Sequence, residues 1–154
     1  MAVEFAFVGL AFVSLLFLVL ETGWQLLVES ALNAGAMAAS RFGSNGATVA
    51  AGITPAPTDR ISSIQGVVLQ SAGGVLLASR LQIQQASYVS FAALASDVTQ
   101  TNGVNGAGTG NQVVHYTLTY TEPYLTPIAA AIAGKTQMIH TVQVTVLNEP
   151  FPSN

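Results

Sequence analysis

The sequence predicts an α+β chain: a long, protruding N-terminal helix, then a small antiparallel sheet packed on the helix's C-terminal half, with one or two short helices. Three observations carry this. The opening run MAVEFAFVGLAFVSLLFLVL holds a single charge, Glu4, in otherwise uncharged apolar sequence. The helical pattern continues past Leu20 and becomes amphipathic. Further along, two segments alternate apolar and polar residues with the period of two that a half-buried strand requires.

From Phe5 to Leu20 only Gly9 and Ser14 interrupt the apolar run. Twenty helical residues rise roughly 30 Å, enough to cross the hydrocarbon core of a bilayer. A cleavable signal peptide would need a basic n-region and a shorter apolar core; the first cation here is Arg41. In ETGWQLLVESALNAGAMAASRFG, the residues Leu26, Leu27, Ala31, Ala34 and Ala38 recur at helical spacing, with Glu21, Gln25, Glu29 and Asn33 between them. Gly43 and the GSNG after it read as a C-cap and turn. Residues 1–43 therefore form one helix of about 60 Å, too long to lie along a small domain, and residues 44–154 form the head.

Small residues sharpen the purpose of that helix. Ala2, Ala6 and Gly9, then Ala31, Ala34, Gly35, Ala38 and Ala39, are of the type that lets helices approach closely in apolar surroundings. Beside a bulky ridge of Phe5, Phe7, Phe12, Leu16 and Phe17 they predict a surface on which several helices pack.

Glu4 needs its own account. A carboxylate in hydrocarbon costs a few kcal/mol, so such residues are rare and functional. At the headgroup level Glu4 would be solvated and would gain from the positive end of the helix dipole. A membrane helix is ordinarily oriented by cytoplasmic Lys or Arg, and their absence before Arg41 predicts that a basic leader preceded this segment and was removed. The chain would then open at Met1 with a free amino group near a carboxylate. Paired with a neighbouring copy's ammonium inside an apolar bundle, Glu4 would be compensated and would set axial register.

In the head, ITPAPTDRISSIQGVVLQSAGG reads as a proline-bearing linker and a short helix, capped by Thr58 or Asp59, with Ile61, Ile64, Val68 and Leu69 on its apolar face. A strand is expected from about Leu77 to Gln85, continuing to Leu94 as strand or loop. TNGVNGAGTGN lacks the Gly-Lys-Ser/Thr of a phosphate loop and reads as an exposed connection. QVVHYTLTYTEPY alternates Val114, Tyr116, Leu118 and Tyr120 against His115 and threonines. TPIAAAIAG reads as a short helix or turn, and TQMIHTVQVTVL as a closing strand with His140, Val142, Val144 and Val146 on one face.

Composition excludes several function classes. With 51% apolar and 7% charged residues, against about a quarter charged in soluble domains, this chain of 154 residues requires a membrane, an oligomer or both. A net charge of −3 and the scattered cations Arg41, Arg60, Arg80 and Lys135 supply no stripe for nucleic acid. There is no cysteine, hence no disulfide or thiolate zinc site. His115 falls on a threonine-rich face and His140 among valines, while Asp59, Asp97, Glu122 and Glu149 stand singly. No HExxH, GxSxG or acidic cluster occurs, so neither an enzyme nor a metal or cofactor site is expected.

AVEFAFVGLAFVSLLFLVLETGWQLL followed by ALNAGAMAASRFG resembles the N-terminal region of TadE-like pilins and pseudopilins of the tight-adherence branch of type IV filament systems. The C-terminal VQVTVLNEPF is similar to that family's closing strand and terminal tag. The resemblance implies a precursor in the cytoplasmic membrane, cut by a prepilin peptidase and delivered by a pilus assembly platform into an extracellular helical filament of identical subunits. Glu4 would be the family's filament glutamate and Phe5 the aromatic after it; that glutamate usually stands fifth in the mature chain, whereas here it stands fourth. The alternatives are a minor pilin that primes or tips the filament, or a membrane-anchored adhesive or ligand-binding module presenting the loop from Thr101 to Asn111.

Overall fold

A computed structural model describes residues 2–47, 49–96 and 106–150. Helix α1 runs from Ala2 to Ser44, 43 residues or about 65 Å. Glu4 lies in its first turn and Arg41 in its last, both favoured by the helix dipole. Gly43 does not cap the helix. It is a helical residue buried beneath Tyr116, where an added Cβ would collide with the phenolic oxygen. The left-handed turn falls at Gly46, with φ 73°, a conformation that favours glycine.

Helix α2, Arg60–Ser71, begins at the N-cap Asp59, whose carboxylate accepts from Ser62 N at 2.7 Å in a capping box. That bond, reinforced by the Ser62 hydroxyl, holds the Asp59 carboxyl below its ordinary value. Ile64 and Val68 are fully buried, while Ile61 is turned outward. Residues Ala78–Arg80 form a 3₁₀ turn, so strand β1 spans Leu81–Tyr88, shifted from the expected start at Leu77. The continuation toward Leu94 is a short helix, α3, Phe91–Ala95, capped by Ser90. Strand β2 covers Val113–Pro123, helix α4 Pro127–Ala133 and strand β3 Gln137–Leu147. Among the described residues, short helices α2, α3 and α4 accompany the sheet.

The strands form an antiparallel sheet in the order β1-β2-β3. Its register sets Leu81 opposite Tyr120 and Tyr120 opposite His140. The period of two in β2 puts Val114, Tyr116, Leu118 and Tyr120 on the inner face, where all are buried. They share one core with Val28, Leu32, Ala36 and Ala39 of α1 and with Ile64 and Val68 of α2. Each fully buried Leu or Val there contributes about 1.5–3 kcal/mol. The outer residues of β3, Thr141, Gln143 and Thr145, are exposed and neutral.

Helix α2 lies unusually close to α1. A Cβ at Gly35 would stand 2.7 Å from Val68 Cγ1, so glycine permits the contact. Ala31 and Ala39, one turn to either side, are buried in the same core. Gly35 thus serves the contact with α2, and Ala31 and Ala39 are used within the chain, in its core.

Candidate functional site

The first half of α1 stands clear of the head. No residue from Val3 to Leu20 is buried, and Phe5 and Phe7 are 79% and 70% exposed. This half is long and apolar enough to cross a membrane. Of the expected assembly residues, Glu4, Phe5, Phe12 and Phe17 lie exposed on this bare segment, with Gly9 half-exposed among them. Met1 lies outside the described residues.

The second half of α1 is divided. Ala31 is buried within its own chain, Ala34 is exposed and Ala38 is half-buried. Leu26 and Leu27 are 61% and 47% exposed, on the side away from the core. With Ala34 and Met37 they continue the apolar outer surface up the helix. The face under the head instead carries Glu21, Gln25, Val28, Leu32, Ala36 and Ala39. Their spacing of three and four residues was visible in sequence, but the polar pair Glu21 and Gln25 disguised its start.

That pair forms a buried relay. Gln25 Nε2 donates to Glu21 Oε1 at 2.8 Å, leaving Gln25 Oε1 to accept from His140 Nε2, also at 2.8 Å. Glu21 Oε2 accepts from Thr126 N at 3.1 Å. The Thr126 hydroxyl caps α4 by accepting from Ala129 N. His140 is thereby a satisfied buried histidine, as its place among valines suggested, and His115 lies on the outer face with Nδ1 2.8 Å from Thr145 Oγ1.

Glu122 is likewise buried. It accepts from Arg80 Nη1 at 2.7 Å and from Trp24 Nε1 at 3.3 Å. The parity of β2 places it on the face of Tyr116, Leu118 and Tyr120, a signal that its reading as one of several acids standing singly passed over.

The far end of α1 is held by Arg60, which is 2% exposed. Its guanidinium donates to the Gly43 carbonyl and, at 3.2 Å, to the Gly108 carbonyl. It thus satisfies an acceptor that a helix C-terminus leaves open. Burial pushes the Arg60 guanidinium below its ordinary value. Close by, the C-terminal Asn148 donates from Nδ2 to Ala107 O and Thr109 O at 3.1 and 3.0 Å. Glu149 N then bonds to Ser44 O at 2.8 Å. The loop expected from Thr101 to Asn111 lies partly outside the described residues, as does Asp97.

A long helix bare and apolar over its first half and docked to a small head over its second fits a pilin-like subunit. Residues 1–41 match the family model described as TadE-like protein. The matched stretch holds the whole bare segment, the relay residues Glu21 and Gln25, and most of the face beneath the head. No curated protein and no solved structure matches the chain.

Proposed function

We propose that the chain is a structural pilin subunit, not an enzyme, polymerising through its apolar N-terminal helix into an extracellular filament of the tight-adherence type. The observation that carries this reading is that no residue from Val3 to Leu20 is buried, ahead of a docked head. About sixteen apolar residues left in water would be costly at roughly 25 cal/mol per Å². They require lipid before assembly and neighbouring copies afterwards. The TadE-like match over residues 1–41 supports the same assignment.

In this reading the subunit waits in the cytoplasmic membrane, is processed by a prepilin peptidase and is moved by an assembly platform into a helical array. Contacts between identical copies that do not close on themselves generate a filament. Phe5, Phe12 and Phe17 pack between copies, Gly9 permits close approach, and Ala34 and Ala38 extend the contact along the half-docked part of α1. Ala31, already covered by its own chain, supports the head instead. Negative-stain electron microscopy of material sheared from cells expressing the chain with its assembly machinery is the test. Ordered filaments bound by antibody to the head support the proposal; a chain found only in the membrane fraction, with no filaments, overturns it.

A further inference from the structure

Two ties fix how the head lies along α1: His140 meets Gln25, and Glu149 meets Ser44. About 28 Å of helix separates Gln25 from Ser44 at 1.5 Å per residue, and about 30 Å of extended chain separates His140 from Glu149 at 3.3 Å per residue. Strand β3 therefore runs alongside α1 in the same direction. Its first residues, Gln137–Ile139, extend about 10 Å below His140, to the level of Leu18–Glu21. The third tie agrees, because Thr126, which opens α4, bonds to Glu21. The connection between β2 and β3, with α4 inside it, is thus the end of the head that faces the bare segment.

The chemistry of this end matches its position. Leu125, Ile132 and Ile139 are 53%, 69% and 65% exposed. Between Glu122 and Glu149 the sequence contains no acid, and Lys135 is its one fixed charge. The connection itself thus carries one cation and no carboxylate, and the Glu21 and Glu122 carboxylates beside it are buried, a chemistry that suits the boundary between acyl chains and anionic headgroups. If residues 3–20 fill the hydrocarbon, that boundary begins at Glu21, the level of this tip.

We propose that the α4 end of the head, through Leu125, Ile132 and Ile139, rests in the headgroup–acyl boundary of the bilayer that holds the first half of α1. The inference rests on the membrane-held stage of the function proposed above and assigns it a second lipid contact. This contact fixes the head's tilt and lowers it onto the membrane until assembly withdraws it.

The absence of native cysteine makes the test direct. Full-length Ile132→Cys, Leu16→Cys and Gln143→Cys variants are labelled with a small fluorophore. They are reconstituted at high dilution in phosphatidylcholine–phosphatidylglycerol vesicles with brominated acyl chains. All three positions are exposed, so labelling leaves the core intact. The expected result is lipid quenching at Ile132→Cys within about twofold of that at Leu16→Cys, and none at Gln143→Cys, which a shallow apolar insertion would give. Quenching at Leu16→Cys alone overturns the proposal while leaving α1 in the membrane. Protection at Ile132→Cys that appears only at high protein-to-lipid ratio assigns the tip to a second copy and also overturns it. Loss of quenching at both Leu16→Cys and Ile132→Cys overturns the membrane reading and the proposal together.

Discussion

His140 Nε2 lies 2.8 Å from Gln25 Oε1, joining a strand to a helix across 115 positions of sequence. The contact has a direction, because the Gln25 amide nitrogen is turned to Glu21 and the oxygen, which can only accept, faces His140. His140 must donate, and Glu21 must accept from both Gln25 and Thr126. Replacing Glu21 by Ala strands a buried donor at Gln25 and a half-buried one at Thr126 and is expected to destabilise the head by about 2–3 kcal/mol, whereas Glu21→Gln, which keeps an acceptor, costs about half as much. Urea unfolding of the full chain in detergent, read by the single Trp24, measures both.

Tyr116 supplies a test with a defined pH window. Its hydroxyl is buried with no hydrogen-bond partner among the described residues, and burial raises the phenol above its ordinary value of 10.0, opposed by the nearby Arg60 charge. The folded state then holds the phenolic proton more tightly than the unfolded state. The contribution is full below the ordinary value and is lost as pH rises through the raised one. Tyr116→Phe is expected to gain up to about 1 kcal/mol at neutral pH and to flatten the loss of stability above pH 10.0. Thermal unfolding across an alkaline series reads both effects.

Gly43 and Tyr116 should couple. Gly43→Ala would press a methyl group into the Tyr116 oxygen, an overpacking that costs about 1–3 kcal/mol. In the Tyr116→Phe background the same change is expected to lose at least half that penalty, giving a measurable interaction energy in a double-mutant cycle.

Asn148 discriminates donor from acceptor. Its amide donates to two backbone carbonyls in a buried site, so Asn148→Ala is expected to cost about 1–3 kcal/mol. Asn148→Asp should be worse at neutral pH, since a carboxylate would face the same carbonyls, and should recover toward the Ala value in acid. Proteolysis near the C-terminus offers an independent readout, because Glu149 is the next tie to α1.

Glu4→Ala tests register in the assembly. If a carboxylate–ammonium pair between copies contributes about 1.4 kcal/mol per contact, its loss lowers association about tenfold. The expected outcome is a fall of at least that size in filament yield with normal amounts of membrane-held subunit. Normal filaments at normal yield would remove Glu4 from the assembly mechanism.

The long helix, the half-buried strands and the capped α2 were legible because periodicity of 3.6 and 2 states itself locally. Asp59 was readable as a cap for the same reason. The face of α1 beneath the head was not, since Leu26 and Leu27 outweigh Glu21 and Gln25 on any scale of single-residue hydrophobicity. Only partners distant in sequence, His140 and Thr126, make that polar pair buriable. The same holds for Glu122, whose burial depends on Arg80 and Trp24. Small residues on α1 carried an ambiguous message: Gly35 admits Val68 of α2 and Ala31 is buried in the chain's own core, while Ala34 faces outward.

The side-by-side run of β3 and α1 has a mechanical meaning. Thr126 holds Glu21, His140 holds Gln25 and Glu149 holds Ser44, so a pull along the helix axis loads these fastenings and the core between them in shear. They cannot be peeled one at a time. Resistance to force is governed by the rate of unfolding rather than by equilibrium stability. Were the helix pulled along its axis, the head would yield only when these fastenings and the core between them gave way together.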